Sequence, residues 1–64
     1  MKRYELVMKD GGIRLSVDGR AALDIPINFQ DKNSTRKKVI NHSISCKLNE
    51  NQIERIKKEL DTIL

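Results

Sequence analysis

Apolar and polar residues alternate one by one through the first half of the chain, whereas from Asn49 onward the apolar positions recur every three or four residues. Tyr4, Leu6 and Met8 alternate with Glu5, Val7 and Lys9, and Ile13, Leu15 and Val17 with Arg14, Ser16 and Asp18. This period of two belongs to strands with one buried face. Asp10-Gly11-Gly12 and Asp18-Gly19 separate the segments, and Asp-Gly suits the positive φ angles of a tight hairpin turn. A third alternating segment, Arg20 to Phe29, places Leu23, Ile25, Ile27 and Phe29 on one face. Pro26 lacks an amide hydrogen, so this strand is expected at a sheet edge or to bulge there. Residues 30–36 read as a polar loop, and residues 37–47 as a fourth strand with Ile40, His42, Ile44 and Cys46 on one face.

Leu48-Asn49-Glu50-Asn51-Gln52-Ile53 then carries the signature of a helix start. Asn49 is a good N-cap, Gln52 can complete a capping box, and Leu48 and Ile53 can form a hydrophobic staple. Ile53, Ile56, Leu60 and Ile63 make one apolar stripe behind it. The pattern therefore predicts one α+β domain over residues 1–64. It is a four-stranded, mostly antiparallel β-meander (about 3–9, 13–18, 20–29 and 37–47) with one C-terminal amphipathic helix (about 50–63) across one face.

Size and charge refine this picture. A 64-residue chain lies near the lower limit for independent folding, so a homodimer or higher oligomer is expected. The net charge of +4 is uneven: residues 1–48 hold ten Lys or Arg against five acids, and residues 49–64 three against four. The single cysteine, Cys46, excludes an intramolecular disulfide and a multi-cysteine zinc site, and fits a reducing compartment. Neither a signal-peptide core nor a membrane-length apolar run is visible, so the expected location is the cytoplasm, without membrane association.

Candidate chemistry is sparse. On one strand His42 and Cys46 would stand about 13 Å apart, too far for a dyad. They read as a partly buried histidine and a buried cysteine acting as a small hydrophobe. Gly11-Gly12 lacks the lysine and hydroxyl of a phosphate-cradling loop. No enzyme, cofactor or metal is expected. The one charge cluster is Arg36-Lys37-Lys38 with Lys32, joined by Lys47 and Arg20, at the junction of the long loop and the fourth strand. Such a run can grip phosphates or an acidic protein surface. The alternation places both aromatics, Tyr4 and Phe29, under the helix. That leaves Val7, Arg14, Ser16, Ala22, Asn28, Asn41, Ser43 and Ser45 on an open face without a platform for base stacking.

In size and composition only, the chain resembles the small basic inhibitors that phages and plasmids direct at host enzymes or defence systems. That resemblance implies a non-enzymatic protein that blocks a host macromolecule, with a protein as the first-choice partner. The alternative is a nucleic-acid or nucleotide binder whose basic cluster neutralises phosphates.

Overall fold

The computed structural model describes residues 2–64. Met1, which the expected single domain over residues 1–64 includes, lies outside them. Three strands, β1 (Tyr4–Lys9), β2 (Gly12–Val17) and β3 (Arg20–Pro26), form an antiparallel sheet in the order β1-β2-β3. Asp10 and Gly11 (φ 52° and 73°) and Asp18 and Gly19 (φ 52° and 81°) supply the paired left-handed residues of two-residue hairpin turns. Arg3 extends the first ladder, its carbonyl accepting from the Asp18 amide at 2.8 Å. On β3 the register slips, so that Leu15 faces Leu23 but Ser16 faces Ala21, leaving Ala22 as a bulge.

The expected four-stranded sheet with one helix is not the fold: the sheet has three strands, and two helices pack on one face. Residues expected as a loop and a fourth strand form α1 (Lys32–Ser45). The local cause is a relay of short polar side chains. Asn28 Oδ1 accepts from the Gln30 and Asp31 amides at 3.0 and 3.2 Å, turning the chain. Asp31 then caps the helix, accepting from the Ser34 amide at 3.2 Å. β3 stops at Pro26 rather than continuing to residue 29, although the Ile27 amide still bonds the Gly11 carbonyl at 3.0 Å. Phe29 consequently leaves the covered side and is 65% exposed.

The buried stripe of α1 is Thr35, Val39 and Ser43, at helical spacing but mostly hydroxylic. Ser43 returns its hydroxyl hydrogen to the Val39 carbonyl at 2.9 Å, and Thr35 Oγ1 accepts from the Asn28 amide at 3.1 Å, so both are buried with their polar atoms paired. Ser43, expected on an open face, therefore lies in the core. The helix closes in a Schellman motif: the Lys47 amide reaches the Ile44 carbonyl at 2.9 Å and the Leu48 amide the Ser43 carbonyl at 3.3 Å.

Asn49 starts α2 (Glu50–Ile63) at once, with both bonds of the capping box present. The Gln52 side-chain amide nitrogen also donates to the Lys2 carbonyl, fastening this helix start to the entry of β1. Ile13 and Leu15 of β2, Ile27, Val39, Leu48, and Ile56 and Leu60 of α2 form the core. Among the described residues β2, flanked on both sides, is the only strand to contribute fully buried side chains.

Candidate functional site

Helix α1 carries the chemistry that distinguishes this chain. Its sequence holds Lys32, Arg36, Lys37 and Lys38 and no acid, whereas α2 alternates acids and bases around its exposed surface. The expected basic cluster is therefore helical, not a loop-to-strand junction. Cations near a helix N-terminus oppose its dipole, and the fold offsets two of the four by antiparallel placement of the helices. Lys32 Nζ donates to the Leu64 carbonyl at 3.0 Å, and Arg36 pairs with Asp61, so both address the C-terminal end of α2. Their structural role is to bind the helical hairpin together.

Lys37 and Lys38 differ from that pair. Both are exposed, and neither side chain forms an ion pair or hydrogen bond among the described residues. Asn33, Lys37, Asn41 and Ile44, spaced as one helical stripe, make the outward face of α1, with Lys38, His42 and Ser45 exposed beside it. Ile44 is 55% exposed there. Phe29 stands exposed immediately before the helix, so an aromatic surface is available after all.

The remaining two expected residues are elsewhere. Lys47 lies just past the C-terminal end of α1, about two helical turns beyond Lys38. Arg20 is exposed at the start of β3. This end of the molecule also holds Lys2, whose Nζ donates to the Cys46 carbonyl at 2.5 Å, and Arg3, whose amide donates to Asp18 Oδ1 at 2.9 Å. Thus the six cations divide into a helix-face group and an end group. Lys2 and Arg3 belong with the latter and were missed, because adjacency in space across the hairpin ends has no local sequence signal.

His42 and Cys46 stand about 6 Å apart in axial rise on α1, not some 13 Å apart on a strand. His42 is exposed rather than partly buried, and Cys46, half-buried, donates its amide to the His42 carbonyl at 2.9 Å. Among the described residues no group of three His, Cys, Asp or Glu side chains could hold a metal ion, and no helix is long and apolar enough to cross a membrane.

The outer face of the sheet forms an open, shallow concavity lined by Glu5, Val7, Lys9, Arg14, Ser16 and Asp24. Arg14 reaches Asp24 Oδ2 from Nη2 at 2.8 Å and from Nε at 3.2 Å. Charge there is mixed in sign, in contrast to α1. No family model, curated protein or solved structure matches the chain.

Proposed function

We propose that the protein is a non-enzymatic binding protein whose outward face of α1 lies against the sugar-phosphate backbone of a nucleic acid. The observation that carries this reading is an acid-free helix presenting two unpaired lysines, Lys37 and Lys38, beside the amides of Asn33 and Asn41. Lysine supplies the charge that displaces counterions, and asparagine can donate to phosphate or base-edge oxygens. Phe29, next to the same helix, adds a surface on which an unpaired base can stack.

The test is fluorescence anisotropy of labelled duplex and single-stranded oligonucleotides across a salt series. On duplex, two contacted phosphates give a slope of log K against log salt of about −1.8, and on single strands about −1.4; Lys37→Ala or Lys38→Ala flattens it by roughly 0.9 or 0.7 each. Affinity that ignores salt, or slopes unchanged in both variants, overturns the reading.

The inhibitor reading is favoured by a different observation, the mixed charges of the outer sheet face, which suit a protein surface better than a polyanion. It predicts a partner retained after nuclease treatment and lost on Arg14→Glu rather than on Lys37→Ala.

A further inference from the structure

The two outer strands of the sheet do not present equivalent edges. β3 carries Pro26 and the Ala22 bulge, both of which spoil pairing with a further strand. β1 has six residues in unbroken register and neither proline nor bulge. Its pairing parity follows from the Arg3 carbonyl, which accepts from the amide of Asp18, the turn residue just after β2. Alternation then turns the backbone groups of Glu5, Val7 and Lys9 toward β2 and those of Tyr4, Leu6 and Met8 toward the free edge. None of the backbone groups of Tyr4, Leu6 and Met8 is bonded to a side chain among the described residues.

We propose that this edge is the seat of a second copy of the chain, its β1 paired antiparallel about a two-fold axis at Val7. Side chains opposite one another in such a pair share a face, so only registers that match odd residues with odd are allowed. A two-fold at Val7 sets Glu5 opposite Lys9 of the second copy and Lys9 opposite Glu5, with Val7 against Val7 between them. On the inner face it sets Leu6 against Met8 and so covers Met8, a methionine 55% exposed at the end of the core. The neighbouring registers lose this match. Centring on Leu6 brings Arg3 against Lys9, centring on Glu5 sets two glutamates together, and centring on Met8 leaves Lys9 facing Val7. Leu6 and Met8 of each copy exchange their amide and carbonyl bonds, while Val7 and the charged pairs occupy the close, non-hydrogen-bonded positions where side chains interact most. The result is a continuous six-stranded sheet with all four helices on one side. Neither Lys37 nor Lys38 takes part, so this dimer stands apart from the phosphate-binding reading.

Sedimentation velocity of the full chain from micromolar to low millimolar concentration tests it. Because the contact is one short strand, the dimer is expected toward the weak end of specific association. Lys9→Glu or Glu5→Lys, at exposed positions, sets like charges opposite each other twice per dimer and is expected to weaken association about tenfold or more. The double variant Glu5→Lys/Lys9→Glu restores opposite charges and returns to within about threefold of the original. Amide exchange locates the contact: protection of Leu6 and Met8 rises with concentration, while Val7 and Lys9, already bonded to β2, change little. A chain that stays monomeric throughout, a dimer indifferent to the single reversals, or concentration-dependent protection away from β1 overturns the proposal.

Discussion

Lys47 occupies the left-handed region at φ 61°, the position of the α1 Schellman motif that glycine normally fills. Its Cβ adds strain there without any contact that needs the side chain, so Lys47→Gly is expected to raise unfolding stability by roughly 0.5–1 kcal/mol, read by urea denaturation. A second residue-scale effect concerns Tyr4, whose hydroxyl donates to Glu59 Oε1 at 3.4 Å. Burial, then the Glu59 charge and hydrogen bond, hold its phenol above the ordinary value of 10.0, with Arg55 opposing. A raised folded-state pKa means that the folded chain keeps its proton while the unfolded chain has lost it. This stabilisation is complete below pH about 10 and disappears as pH climbs through the folded value. Tyr4 is the only tyrosine and no tryptophan is present, so its absorbance titration reports the shift directly. Tyr4→Phe is expected to flatten the alkaline fall of stability. At this scale the sequence made candidate cations legible but not their employment. Lys32 and Arg36 differ from Lys37 and Lys38 only by which side of α1 they occupy, and that side could not be assigned while the segment was read as a strand.

At the scale of elements, the two hairpin turns and the α2 start were legible because each has a local stereochemical cause: positive φ at Asp-Gly, and first-turn amides needing acceptors. Helix α1 was not legible, for a reason that its residues make plain. Val39, Ile40 and Ile44 are β-branched and, with His42 and Cys46, mimic alternation. The true buried stripe, Thr35, Val39 and Ser43, is masked because hydroxyl groups fill two of its three places. Two weaker signals pointed the other way. Asp31 was a competent N-cap, and no glycine or proline interrupts the chain between Pro26 and Leu64. The candidate surface followed the element: once residues 32–45 wind into a helix, the cluster splits between hairpin packing and solvent. Phe29 also comes out from under the helix.

At the scale of the whole molecule, the chain is two local units, a β-meander through Pro26 and a helical hairpin from Lys32, docked face to face across Asn28–Asp31. Gln52 is the rivet between their far ends. It is buried, its Oε1 accepts from the Asn49 amide at 3.0 Å, and its nitrogen donates to the Lys2 carbonyl. Gln52→Ala leaves both backbone groups without that partner and is expected to cost about 1–3 kcal/mol, measured from a denaturation midpoint. This rivet joins residues 50 positions apart in the sequence, whereas the turns within each unit close over a few residues. Loop-closure entropy therefore puts it among the last contacts made as the chain folds. The loss at Gln52 should accordingly surface as faster unfolding with an almost unchanged folding rate, making this one side chain a brake on the lifetime of the native state rather than a guide to reaching it.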